Sequence, residues 1–171
     1  MTDLKNQVAL ITGGGSGIGR VIAVGLAERG VMVCLVGRRA HLLESMAQTI
    51  QAMGQAAKIY PADITSDGSV RSLSHRVEKE LGRLNILVHS AGMFSMGELS
   101  TSSTGDFSAQ YYTNVYAPLC LTQSLLPLIR RHRGQVVFIN STMALTTRSS
   151  VGHLLPLSTH LKLLLIHSGM N

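Results

Sequence analysis

The stretch that most constrains this chain is Thr12 to Gly19, ThrGlyGlyGlySerGlyIleGly, set directly behind the apolar run Val8 to Ile11. Glycine reaches positive φ at little cost and carries no Cβ, so it serves where a backbone must turn sharply and approach a ligand closely. Gly13, Gly17 and Gly19 are spaced for such a turn, and Gly15, Ser16 and Ile18 complete it. Past Gly17, the apolar positions Ile18, Val21, Ile22, Val24, Gly25 and Leu26 recur near helical spacing, with Arg20, Glu28 and Arg29 opposite them. Strand, glycine turn and helix in that order aim free N–H groups and the positive end of a helix dipole at the turn, where a phosphate is well held. Without the flanking strand and helix, an unliganded β-turn would explain the same glycines equally well.

The alternation continues. Val31 to Val36 is an unbroken apolar run, the pattern of a strand buried on both faces of a parallel sheet, and it ends in Gly37, Arg38 and Arg39. Leu42, Leu43, Met46, Ile50 and Met53 restore the helical period. Ala56 to Ala62 forms a third strand weakened by Pro61, followed by Asp63 and Ile64. Ser66 to Leu81 is a helix capped by Ser66 or Asp67. Asn85 to Val88 is a short strand running into His89, Ser90, Ala91 and Gly92. A loop over Met93 to Gly105 precedes a long helix from about Asp106 to Arg131, which Pro118 and Pro127 should perturb. Gln135 to Ile139 is a fifth strand, delivering Asn140 and Ser141 at its end. This order predicts an α/β fold, a Rossmann-like doubly wound parallel sheet with helices on both faces. Right-handed crossovers place Thr12, Arg38, Asp63, Ala91 and Ser141 on one edge, where ligands bind in such sheets.

A chain of 171 residues allows one domain with a real core. Its 45% apolar and 14% charged residues read as a soluble globular chain, with no signal peptide and no apolar stretch long enough to span a bilayer. Cys34 and Cys120 lie in separate apolar segments, as buried thiols of a reducing, cytoplasmic compartment would. The net charge is +6, but the cations are scattered along the chain without interleaved aromatics. The expectation is therefore no nucleic-acid and no membrane partner, with the run Arg130 to Arg133 a solvated helix end. No metal site is expected.

Five segments, taken in order, resemble the short-chain dehydrogenase/reductase family. They are residues 12 to 19, Asp63 after the third strand, His89SerAlaGly, Asn114 within ThrAsnValTyrAlaPro, and Ile139AsnSer with Ser141. The resemblance runs from about residue 6 to residue 152. It implies a nicotinamide dinucleotide cofactor, hydride transfer to or from a small-molecule carbonyl or alcohol, and a homo-oligomer in intact members. Under it Thr12 to Gly19 hold the cofactor phosphates, Asp63 meets the adenine, Ile64 belongs to the cofactor site, and Ser90, Ala91 and Gly92 support the sheet and cofactor. Asn114 holds a water in a proton relay and Ser141 bonds the substrate oxygen. The family's AsnAsnAlaGly appears here as HisSerAlaGly, and a lone His beside a strand end is more often structural than a base. At the end of the second strand a carboxylate would accept from a ribose 2′-OH. The guanidinium of Arg38, or of Arg39, instead suits a 2′-phosphate, which favours NADP(H) over NAD(H).

A second departure concerns the chemistry itself. The family places a Tyr thirteen residues after the Ser and a Lys four further on, the Lys tuning the phenol for proton exchange near neutral pH. Here those positions hold Leu154 and Ser158. Residues 1–152 then form an incomplete dinucleotide-binding domain, and 153–171 a non-matching tail. Read one nucleotide early with permitted third bases, Ser158 to Asn171 becomes LysHisAlaPheLysAlaAlaAlaAspSerLeuArgAspGlu, which resembles the family helix, with its Lys at the counted position. The expected function is an NADP(H)-dependent oxidoreductase by ancestry, inactive in this copy. A non-catalytic dinucleotide-binding or regulatory module is the alternative, and a methyltransferase on a similar sheet is disfavoured by Arg38 and Arg39. Sequencing the encoding DNA across codons 150 to 160 should reveal a frame change, and an intact frame there would refute it.

Overall fold

A computed structural model describes residues 4–94 and 103–140. Within them β1 (Val8–Thr12), β2 (Met32–Gly37), β3 (Ala57–Pro61), β4 (Ile86–His89) and β5 (Gln135–Phe138) form one parallel sheet in the order β3-β2-β1-β4-β5. The chain winds outward from β1 to β3, then crosses back to β4 and β5, so the switch point lies between β1 and β4. This is the doubly wound α/β arrangement expected.

The helices divide the core in two. One cluster joins Val8 and Leu10 to α3 (Asp67–Leu81) and α5 (Ala117–Arg131), and the other joins Ala9 and Ile11 to α1 (Gly17–Ala27) and α2 (Ala40–Ala52). Alternate residues of β1 thus enter opposite layers, and both must be apolar. Pro61 ends β3, an edge strand where its missing N–H leaves no ladder bond unmade. Ser66 caps α3 by accepting from the Ser69 N–H.

Two helices differ from expectation. In α1 the buried residues are Gly19, Ala23 and Ala27, whereas Ile18 and Val21 are 61% and 70% exposed. Small side chains at i, i+4 and i+8 bring the helix axis close to the sheet, and the larger residues take its flanks. The long helix predicted from Asp106 is three pieces. α4 (Thr104–Tyr111), capped by Ser103, runs through a π-helical turn (Tyr112–Tyr116) into α5. Pro118 has no N–H for the carbonyl of Asn114 four residues earlier, and the wider turn sits at that missing rung. At the other end of α5, Arg133 adopts φ 51° while Gly134 N–H bonds the Ile129 carbonyl at 2.8 Å, a Schellman closure with an arginine in the glycine position.

His89 fastens β4 to its neighbours. It is buried, its Nε2 lies 2.8 Å from Thr122 Oγ1 on α5, and its ring stacks on Phe138 of β5 at 4.8 Å. Its Nδ1 has no partner among the described residues. Burial holds the imidazole neutral and lowers its pKa to about 3, which suits a structural residue and not a base. Below the unfolded value of about 6.5 the unfolded chain binds a proton that the folded chain refuses. Stability from this group is therefore present above pH ~6.5 and declines towards pH ~3, by about 2–3 kcal/mol at pH 4.5. His89→Asn should remove that share of the acid sensitivity, read as the difference between urea midpoints at about pH 7.5 and pH 4.5. An unchanged difference would show that other groups cause it.

Candidate cofactor site

Thr12, the last residue of β1, anchors the site. Its Oγ1 accepts from the Ser90 and Ala91 N–H groups, each at 3.1 Å, and lies 3.4 Å from the Val88 carbonyl to which it donates. Gly13 follows at φ 70° and donates its N–H to the Val36 carbonyl at 2.8 Å. β1, β2 and β4 are thus tied together where the glycine turn begins. A Cβ on Gly13 would stand 2.9 Å from the Ala91 nitrogen, and one on Gly19 would stand 2.5 Å from the Gly13 carbonyl oxygen. The glycines are there because backbone occupies the space.

Ser16 is the N-cap residue of α1 but makes no capping bond; its Oγ accepts from Arg39 Nη2 at 3.0 Å. The first amides of α1 are consequently free of a side-chain cap and face the turn, as an anion site requires. Around this point opens a cleft of about 450 Å³, within the usual range for a ligand pocket. Of the thirteen residues expected at the cofactor, all but Gly19 line it: Gly19 is buried behind the turn.

The cleft's far wall carries the charge. Arg38 and Arg39 are exposed at the end of β2, and Asp63 stands across from them after β3. Asp63 Oδ1 accepts from Thr65 Oγ1 at 2.7 Å and from the Thr65 N–H at 2.9 Å. These bonds, with a smaller contribution from Arg38, hold its carboxyl below the usual range, so it is ionised at neutral pH. Leu42, Leu43, Thr65 and Thr113 also line the cleft. Nothing in the sequence singled them out, because Leu42 and Leu43 read only as a helix face and Thr65 and Thr113 only as neighbours of motif residues.

Asn114 lies beside the cleft, in the π-helical turn. Its carboxamide is paired with one backbone unit, accepting from the Met93 N–H and donating to the Met93 carbonyl, both at 2.8 Å. It therefore fixes the exit from β4. Ser141, Leu154 and Ser158 fall outside the described residues, as does the tail 153–171. A dinucleotide fits what is described: an uncapped helix N-terminus for its phosphates, glycines that leave the backbone bare, and guanidinium groups on the far wall for a further anionic group. Among the described residues no cluster of side chains could hold a metal.

Comparison with known proteins agrees with this geometry. A model of the short chain dehydrogenase family matches residues 7–153. Nodulation protein G of Rhizobium sp. (strain N33) is 33% identical over 147 residues, 85% of this chain and 59% of that protein. Hydroxynaphthalene reductase arp2 of Aspergillus fumigatus is 34% identical over 142 residues, 82% of this chain and 52% of that protein. Among solved structures, a 7α-hydroxysteroid dehydrogenase complexed with NADH and 7-oxo glycochenodeoxycholic acid superposes with a TM-score of 0.89 at 27% identity, covering 94% of this chain and 63% of that one. A short-chain type dehydrogenase/reductase from Mycobacterium ulcerans gives 0.89 at 27%, covering 95% and 61%. The chain spans 47% to 61% of the length of the relatives it matches.

Gly13→Ala and Gly19→Ala should abolish dinucleotide binding, each forcing a Cβ into backbone. Gly17→Ala meets no protein atom within 4 Å, so it should cost only about 1 kcal/mol of stability from the strain of φ 53° and weaken binding less than the other two, through the methyl it adds to the cleft wall. Fluorescence titration with a reduced dinucleotide, alongside thermal melts, separates the two classes. Equal losses for all three variants would contradict the steric account.

Proposed function

The chain belongs to the short-chain dehydrogenase family, and from that premise we propose that its cleft binds NADP(H) for hydride exchange with a small carbonyl or alcohol. The observation that carries the binding proposal is the uncapped N-terminus of α1 beside a turn with no room for side chains. In this reading Thr12 to Gly19 take the pyrophosphate, Asp63 and Ile64 border the adenine, and Ser90 to Gly92 support the cofactor's middle. Arg38 takes the ribose 2′-phosphate, because guanidinium pairs with phosphate through two parallel bonds and the end of β2 offers no carboxylate to a ribose hydroxyl. Arg39, held to Ser16, flanks the same corner.

When bound, the cofactor supplies or accepts hydride at its nicotinamide. The protein's share is orientation and proton handling. Ser141 bonds the substrate oxygen. Asn114 positions the segment after β4 and supports a relay water through hydrogen-bonding capacity left by Met93, including a main-chain carbonyl that Pro118 cannot serve. The positions counted for the phenol and ammonium hold Leu154 and Ser158, neither of which exchanges a proton near neutral pH. We therefore propose that this chain alone binds cofactor without turnover, which makes a non-catalytic dinucleotide-binding module the second reading.

Titrating wild type and Arg38→Ala with NADPH and NADH, with a carbonyl-reduction assay in parallel, tests all of this. Wild type should prefer NADPH by about tenfold or more, ~1.5–3 kcal/mol for a charge-assisted contact. Arg38→Ala should lose the preference and keep its NADH affinity. Equal wild-type affinities would overturn the cofactor choice, absence of binding to either would overturn the cleft, and steady reduction would overturn the inactive reading.

A further inference from the structure

Charges that look scattered along the chain are sorted by the fold. At the C-terminal edge of the sheet, with the adjoining halves of the helices, Arg20, Arg38, Arg39 and Arg71 are matched by Glu44, Asp63, Asp67 and Asp106. The opposite half is different. The end of α3 carries Arg76, Lys79 and Arg83, and the end of α5 carries Arg130, Arg131 and Arg133. Lys5 before β1, Arg29 after α1 and Lys58 early in β3 join them. Against these nine cations stand only Glu28, Glu78 and Glu80, so the whole net charge of the described residues, +6, sits on the half away from the cofactor cleft.

The cations at helix ends complement helix dipoles, but that effect fades beyond the last turn and does not call for so many. Glu80 is engaged by Lys58 and Arg76, and Glu78 by Arg131. Lys79, Arg83, Arg130 and Arg133 are exposed with no carboxylate in ion-pair reach among the described residues. Arg133 holds a left-handed φ of 51°, where glycine would be easier. The His132 ring, 3.0 Å from the Gly82 carbonyl, keeps the ends of α3 and α5 side by side, so that Arg83 and the α5 arginines form one surface.

We propose that this N-terminal edge binds the phosphate backbone of a nucleic-acid duplex without reading its bases. Five strands about 4.8 Å apart make an edge roughly 20 Å wide, long enough to follow several phosphates. Stacking single-stranded bases would require exposed aromatics, but Phe94, Phe107, Tyr111 and Tyr112 all belong to the other half. A bilayer-seating face would present large apolar groups, and Met53 is the one exposed here among the described residues. Strands of four to six residues at about 3.3 Å each separate the two edges. Duplex and dinucleotide therefore bind at the same time, and the proposal does not depend on the cofactor assigned above.

The test is fluorescence anisotropy of the full chain with a labelled random-sequence DNA duplex and, in separate arms, a duplex RNA and phosphatidylserine vesicles. Duplex binding should weaken with salt at a log–log slope of about −3 to −5, roughly 60-fold to 1,000-fold between 50 and 200 mM, and should be insensitive to NADPH. The combined variant Arg83→Ala, Arg130→Ala, Arg133→Gly should bind at least tenfold more weakly at low salt. Arg133→Gly alone, which relieves the positive φ, should melt no lower than wild type and still lose affinity, so that lost binding is not lost folding. No duplex binding at low salt, binding unchanged in the combined variant, or vesicles bound more tightly than either duplex would each overturn the proposal.

Discussion

One hydroxyl holds the working edge of this molecule together. Thr12 Oγ1 lies at the end of the central strand, almost without solvent exposure, and receives two successive amides from the turn after β4. Those amides lie beyond the ladder between β1 and β4, and without an acceptor they would be polar groups facing backbone. With it, the chain leaves β4 pressed so close to Gly13 that only a glycine fits there. The Gly13 N–H bond to Val36 adds β2 to the same knot. Cleft shape, turn geometry and the course of residues 89 to 92 all follow from that acceptor.

The knot also explains how stability and binding are divided. Ser16 stands where a capping bond would ordinarily satisfy the first amides of α1, yet its oxygen is turned to Arg39. A cap contributes about 1 kcal/mol to a helix. Leaving it unmade keeps donors ready for an anion and ties the basic corner after β2 to the turn. His89 stands on the opposite side of that balance, since its burial rigidifies β4 against α5 and β5 and contributes nothing to the cleft.

Much of the fold was legible because parallel strands covered on both faces must be apolar throughout, and Val8 to Ile11 and Val31 to Val36 are. The cleft residues were legible because a phosphate turn needs glycine at particular places. What escaped depended on three-dimensional neighbours. The face of α1 was misjudged because hydrophobicity ranks Ile18 and Val21 above Ala23 and Ala27, while close approach to a sheet favours the smaller residues. Pro118 announced a disturbance, but its form, a π-helical turn housing Asn114, follows from packing on both sides. The bond between Arg39 and Ser16 joins residues 23 apart, and the asymmetry of charge exists only once helices have directions.

The α1 contact has a consequence for how such a chain changes over generations. Gly13, Gly19, Ala23 and Ala27 specify the cradle by atoms they lack, so its position is recorded as empty volume and not as a set of favourable contacts. Volume of that kind resists erosion unequally. Substitutions nearby that shorten side chains leave the record intact, whereas one added methyl erases it, and in most codons for small residues such additions lie a single base away. Selection for a folded chain would by itself preserve this helix seat, whatever became of the chemistry it serves.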